Sequence, residues 1–371
     1  MPETLKLKIL TGVMVSLMLP GFVSAGCNKL TQTTEATSVN STVLNYISEI
    51  KGDVRLKRSE WKDYQKANFG KSLNPSDQLK LSASASATVM CDNSRVWVVP
   101  AGKVSLVSDG CGPGQPSVRR RNRRRPSRAP NETIPYIISP RNTALLTNRP
   151  ILRWNAVPGA TRYTVLVQDA GLTLEWETKT SNTEIQYSGD PLQPDSYYLV
   201  TVKTNTGKSS EEEQGAEVNF TVLDAQKAES VESEVAKLKQ QLKQQQLTQE
   251  AEQLGLAYLY QRYDLKAKAI GLLEGLVKKE TQTVAVYQLL GDLYQQVGLN
   301  QQAKRRYSQA LELAKGTENL EGQAEAQVGL GLVEGKKTQA IGWLTEAQSN
   351  YQKLGDRTKV KQVKQWIKNF Q

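Results

Sequence analysis

Apolar and polar positions alternate along two stretches of this chain and recur at three- and four-residue steps along a third. In the first stretch, Ile47-x-x-Ile50-x-Gly52-x-Val54-x-Leu56 has the period of two expected of a half-buried strand. Leu79-x-Leu81, Ala87-x-Val89 and Val96-x-Val98 continue it, so residues 43–113 are predicted to form an all-β domain. The second stretch runs from Ile151-Leu152-x-Trp154 through Tyr163-x-Val165-x-Val167 to Tyr198-x-Val200-x-Val202 and Phe220-x-Val222. Its alternation predicts a central β-sandwich over 136–224. After Asp224 the β-branched runs stop and Gln, Lys, Leu, Ala and Glu dominate. Val231, Val235, Leu238 and Leu242 then recur at helical steps, predicting a leading helix over 225–250. The fold class expected is therefore multidomain: an N-terminal all-β domain, a central β-sandwich and a C-terminal all-α part.

The all-α part repeats itself. Leu256-Ala257-x-x-Tyr260, with Ala269 and Leu273, returns 34 residues later as Leu290-Gly291-x-x-Tyr294, with Ala303 and Tyr307. Small residues where two helices cross, at this period, resemble the tetratricopeptide repeat, so residues 251–371 are expected to be a solenoid of helix pairs. The second repeat matches best, through Tyr287, Leu290, Gly291, Tyr294, Gly298, Ala303, Tyr307 and Ala310. In the first repeat Asp264 replaces the turn glycine. A degenerate third carries Gly329, Leu332, Ala340, Leu344 and Ala347 after an insertion around Gly316 to Gly322. Val360, Val363, Trp366 and Ile367 predict an amphipathic capping helix. The resemblance implies a concave face that holds a protein partner, lined by Leu254, Tyr258, Gln261 and Arg262, then Gln288, Asp292, Gln295 and Gln296. That face is polar with little charge and has no Lys/Arg clamp for a carboxylate. A buttress without a ligand is the competing reading.

The β stretches also resemble known modules. Gly52-x-Val54, Trp61, Gly70-x-x-Leu73-x-x-x-Asp77 and a small-residue strand are similar in order to the FecR-like domain of bacterial envelope proteins, cyanobacteria included. Only eight residues precede the apolar N-terminal stretch, leaving no room for the cytoplasmic segment of a FecR regulator, so that family's signalling role does not carry over. Leu192-x-Pro194-x-x-x-Tyr198 resembles the tyrosine corner of a fibronectin type III or immunoglobulin-like sandwich. Trp154, Tyr163, Tyr198, Val200 and Val202 are then core, and Trp176, between Glu175 and Glu177, is expected to be exposed.

Charge and cysteines add a location. Lys6 and Lys8 before the apolar run Ile9–Val23 read as a signal peptide over 1–26. Three readings remain there: cleavage after Ala25, a lipobox Ser24-Ala25-Gly26-Cys27 with Cys27 acylated, although Ser24 stands where Leu is usual, or an uncleaved anchor. Residues 27–42, rich in Thr, Ser, Asn and Gln, form a tether. In an oxidising compartment Cys91 and Cys111 can pair, leaving Cys27 over; three free thiols are the alternative. The net charge is +11, but Arg119, Arg120, Arg121, Arg123, Arg124, Arg125 and Arg128 supply seven of it and leave +4 for the rest. This run lies in a proline-rich linker, 114–135, and reads either as attachment to an anionic envelope surface or as a solvated spacer.

The chain has no histidine, which removes Ser-His-Asp and Cys-His relays and imidazole metal ligands. No phosphate-binding glycine loop is present either. The expectation is an exported envelope adaptor, not an enzyme, with no catalytic residue, metal, cofactor or nucleic-acid partner. The alternative is a peptidoglycan- or polysaccharide-binding protein that uses its β domains.

Overall fold

A computed structural model describes residues 45–113, 131–213 and 218–370. The expected signal, the tether with Cys27 and the arginine run lie outside the described residues. The N-terminal module holds β1 (Asn45–Lys51), β2 (Val54–Lys57), β3 (Gln65–Lys66), β4 (Ser72–Leu73), β5 (Gln78–Leu81), β6 (Ser86–Met90), β7 (Val96–Val98) and β8 (Val104–Leu106). A short helix α1 (Val107–Cys111) follows. The strands form two antiparallel sheets, β4-β1-β6-β7 and β3-β2-β5-β8. Alternation puts Ile47, Val54, Leu56, Leu79, Leu81, Ala87 and Val89 between them. Cys91 and Cys111 are joined by a disulfide with Cα atoms 5.2 Å apart, which ties α1 to the end of β6.

The second module is a β-sandwich. It contains β9 (Ile137–Ser139), β10 (Thr143–Leu145), β11 (Ile151–Trp154), β12 (Tyr163–Asp169), β13 (Glu175–Thr180), β14 (Glu184–Gln186), β15 (Tyr197–Thr204) and β16 (Asn219–Val222). A five-stranded sheet, β10-β16-β15-β12-β13, packs on a three-stranded one, β14-β11-β9. Trp154 lies edge-on to Tyr163 at 5.5 Å and Tyr198 stacks on Phe220 at 5.5 Å. The Tyr198 hydroxyl donates to the Gln193 carbonyl at 3.0 Å and accepts from the Gln193 N–H at 2.6 Å, which closes the corner before β15. Trp176 is not the exposed ring the sequence predicts. It is half-buried edge-on to Tyr187 at 4.9 Å, because β13 is an edge strand whose inner face still covers the sandwich core.

Eight helices follow: α2 (Ala225–Gln244), α3 (Gln249–Arg262), α4 (Lys266–Val277), α5 (Val284–Gln296), α6 (Asn300–Gly316), α7 (Leu320–Val333), α8 (Lys337–Leu354) and α9 (Arg357–Phe370). Asp224, Thr248 and Asn319 cap α2, α3 and α7 by accepting from backbone N–H groups. The helices α3/α4, α5/α6 and α7/α8 are successive antiparallel pairs, and α9 closes the row. Gly298 turns between α5 and α6 with φ +83°, and Asp264 holds the same left-handed position one repeat earlier with φ +62°. The inserted residues before the third repeat lengthen α6, which has 17 residues against 12 in α4. Tyr307 on α6 fills the crossing of α5 and α7. A Cβ on Gly291 would lie 2.6 Å from its ring and one on Gly329 2.5 Å, so both positions need glycine for this packing. The leading helix α2 packs Leu238 and Leu242 onto the core of the first repeat, as a cap does.

All described residues belong to one compact unit, 41–371. The sandwich is fixed to the turns of the solenoid. The Ala144 N–H donates to the Asp264 carbonyl at 2.9 Å, and the Lys266 ammonium donates to the Asn142 carbonyl at 2.9 Å. Arg141, 1% exposed, donates to the Val297 carbonyl at 2.5 Å and forks onto the Glu213 carboxylate at 2.5 and 2.8 Å. A buried guanidinium needs both kinds of partner to offset its lost hydration.

Candidate functional site

The inner face of the solenoid is built from α3, α5 and α7, whose small and polar positions leave a concave trough. The N-terminal module sits in that trough. The Gly70 backbone bears on α3 and α5 so closely that a Cβ would lie 2.7 Å from Leu254 and 2.9 Å from Ala285, and its φ of +77° favours glycine as well. The Tyr258 hydroxyl donates to the Gly70 carbonyl at 3.0 Å. The ring of Tyr258 packs against Tyr46 of β1 at 5.2 Å, and burial pushes the phenols of both far above their ordinary range. A few residues along, the core of the module runs without a break into Ala324, Leu344, Tyr351, Leu354 and Val363 of the solenoid. Trp61 belongs to this shared core, and the neighbouring Lys62 N–H donates to the Leu354 carbonyl at 3.0 Å.

Charges seal the contact. Arg58 of the module pairs with Asp77 at 2.5 Å and with Glu321 at the start of α7. Lys71 pairs with Glu321 at 2.9 Å and Glu325 at 2.7 Å. Burial alone would raise the Glu321 carboxyl, but the Arg58 and Lys71 charges outweigh it and hold it down at about 2. Asp77 goes the other way: its burial wins over the attraction of Arg58, with the charge of Glu321 adding to the rise. The two carboxyls differ because Glu321 faces two cations and Asp77 one.

What the module leaves open is a cavity of about 270 Å³. Gln261, Gln288, Asp292, Gln295 and Gln296 line its floor, Lys71 and Ser72 one side, and Lys359, Gln362 and Trp366 of α9 the far wall. The Tyr307 hydroxyl donates to Asp292 at 2.7 Å and lies 3.0 Å from the Gln295 carboxamide, and the Gln288 amide donates to the Gly322 carbonyl at 3.0 Å.

The eight groove residues of the sequence reading thus divide into three sets. Gln261, Gln288, Asp292, Gln295 and Gln296 converge on the cavity. Leu254 is covered by the module, and Tyr258 touches the cavity but spends its hydroxyl on Gly70; neither is open to an outside partner as expected, because β1 and the segment before β4 already occupy that part of the trough. Arg262 points away from the trough and pairs with Glu234 of α2 and the Asp92 carbonyl at 2.9 Å. The sequence reading missed Arg58, Lys71, Glu321 and Glu325. The one visible signal for Glu321 and Glu325 was charge inside an apolar-periodic repeat, and Arg58 and Lys71 of the β module carried none.

The fold defines the class: a helical solenoid of the tetratricopeptide type that carries a β module in its trough and a β-sandwich on its turns. No protein-family model matches the chain, and no curated protein matches it. Among solved structures, BtubC (BKLC) from P. vanneervenii is similar over 39% of this chain and 76% of that chain, at 16% identity and a TM-score of 0.28. A Podosopora anserina kinesin-light-chain candidate with nearly identical TPR-like repeats is similar over 39% of this chain and 89% of that chain, at 20% identity and a TM-score of 0.27. Likeness at this level says nothing of function, and the class rests on the helix pairs described above.

Proposed function

We propose that this chain is a non-catalytic scaffold of the bacterial envelope that holds a protein partner on the part of its trough its own N-terminal module leaves free. One observation carries the reading. The cavity floor carries four carboxamides beside the Asp292 carboxylate, which accepts from Tyr307, and the side chains of Gln261 and Gln296 make no hydrogen bond among the described residues. A carboxamide both donates and accepts, so this row suits an extended segment with uncharged polar groups. The absence of histidine from the sequence supports a non-catalytic role. On this reading the N-terminal module is a FecR-like domain kept as a fixed plug. Residues 1–26 direct export, with the signal cut after Ala25 or Cys27 acylated. The run Arg119 to Arg128 adds an anionic-surface contact.

The test uses the full chain with a photo-crosslinking residue at Gln296, in envelope extracts. One major adduct is expected, and it should disappear when Gln261→Arg fills the cavity. A crosslinker at Lys179, on the edge strand β13, serves as the control. Adducts of equal yield at both positions would leave the repeats as a cradle for their own module.

A further inference from the structure

The last described helix exposes a row of cations that neither the repeat pattern nor the trough uses. Arg357, Lys361, Lys364 and Lys368 of α9 are all exposed and follow at steps of four, three and four. On an α-helix these positions fall within about 60° of arc and extend about 16 Å along the axis. No Asp or Glu occurs from Arg357 to Gln371. Glu60 of the N-terminal module caps the first turn, accepting from the Thr358 N–H at 2.8 Å, and its carboxylate lies near Arg357. Arg357 therefore has a countercharge. Lys361, Lys364 and Lys368 have no ion pair or hydrogen-bond partner among the described residues.

Like charges at three- and four-residue spacing repel, so the row is unfavourable for the helix on its own. The packing of α9 does not call for it either, because Val360, Val363, Trp366, Ile367 and Phe370 on the other side make the contact with the core. Two of these, Val360 and Ile367, are half-buried and border the lysine row as an apolar shoulder. A straight row of cations beside an apolar shoulder matches a flat anionic surface with a hydrocarbon layer beneath it. It does not match a nucleic-acid groove, which is read by amides and rings that reach base edges. The amides nearest the row, Gln365 and Asn369, bond to each other at 3.1 Å.

We propose that the outer face of α9 docks on a bilayer containing anionic lipid, with headgroup phosphates as counterions to Lys361, Lys364 and Lys368. This surface is separate from the trough and does not depend on the reading given above. The row is a cationic signal in its own right, additional to the run Arg119 to Arg128, and holds the chain on the surface without that run.

The experiment is sedimentation of the full, exported chain, carrying Cys27→Ser to exclude an acyl anchor, with vesicles of phosphatidylglycerol and phosphatidylcholine. Vesicles of phosphatidylcholine alone are the control. Binding to the anionic vesicles that falls with added salt is expected. The combined variant Lys361→Glu, Lys364→Glu, Lys368→Glu should bind on the order of 100-fold more weakly, with an unchanged melting temperature since all three side chains are exposed. Equal binding by this variant would overturn the proposal. So would complete loss of binding when only the seven arginines of the linker are replaced by Gln. A third overturning result is tighter binding to dextran sulfate than to vesicles, which would make the partner a soluble polyanion.

Discussion

Glu321 is the residue on which the docking of the N-terminal module turns, because among the described residues it is the carboxylate that pairs with both Arg58 and Lys71. Its carboxyl is held at about 2, below the 4.5 of the free group, so the folded state binds fewer protons than the unfolded one between those values. The stabilisation is complete above about pH 4.5 and is lost as pH falls toward 2. Asp77 contributes with the opposite sign: its raised carboxyl makes ionisation unfavourable in the fold, and protonation relieves that. Replacing Glu321 with Gln should lower stability at neutral pH by about 3 kcal/mol and flatten the acid limb between pH 4.5 and 2. Urea unfolding at a series of pH values measures both, and an acid limb of unchanged slope in Glu321→Gln would assign it to other groups. None of this was legible from the sequence, since Glu321 lies 263 positions from Arg58. Gly70 was legible in part: its place in the Gly-x-x-Leu motif predicts a turn, and the turn is there, but its contact with Leu254 and Ala285 depends on a different domain.

At the scale of elements, Tyr307 joins the second and third repeats. Its ring lies between Gly291 on α5 and Gly329 on α7, and its hydroxyl orders Asp292 and Gln295 at the cavity. Tyr307→Ala should cost about 3–5 kcal/mol, the usual range for removing a buried ring. Tyr307→Phe should cost about 1 kcal/mol and leave the helix packing intact while loosening the cavity floor. Comparing the two variants by chemical unfolding and by crosslinking at Gln296 separates the packing role from the ordering role. If both variants lose equal stability, the hydroxyl and not the ring is what matters. The small residues at 34-residue spacing made this crossing readable before any coordinates, because close helix approach requires them wherever the partner helix comes from. The lengthening of α6 was readable only as an insertion. Whether inserted residues extend a helix or form a loop is decided by what packs on them, here Leu311 and Ala314 in the core between the second and third repeats.

At the scale of the molecule, the β module, the sandwich and the repeats are expected to unfold together. One core runs from Ile47 through Leu79 into Leu344 and Val363, a buried charge pair closes the junction of the β module, and the hydrogen bond from Arg141 to the Val297 carbonyl closes that of the sandwich. Calorimetry of the full chain should therefore give one transition for the described unit. Residues 43–113 expressed alone should be largely unfolded, with the apolar faces of Trp61 and Tyr46 left in water. A separate, reversible transition in that fragment would show that the trough is a docking site the module can leave. This point bears on function, because a module that folds only in the trough closes Leu254 and Tyr258 to any partner and restricts binding to the cavity side.

The sequence by itself determined the local periods, and with them the kind and order of the elements: alternating strands for two β modules, a 34-residue helical repeat, a tyrosine corner, and the Cys91–Cys111 pair as one of two readings. These features are short-range, set by side-chain period, turn chemistry and helix crossing within neighbouring segments. Only the tertiary structure decided that the N-terminal module fills the trough, that Arg141 is buried at the turns of the solenoid, and that five of eight groove positions remain at an open cavity. Those outcomes depend on which apolar faces and which charges meet across long stretches of chain, 156 residues from Arg141 to Val297 and 263 from Arg58 to Glu321. Period and composition constrain each face singly and leave their pairing to shape and desolvation in the folded state.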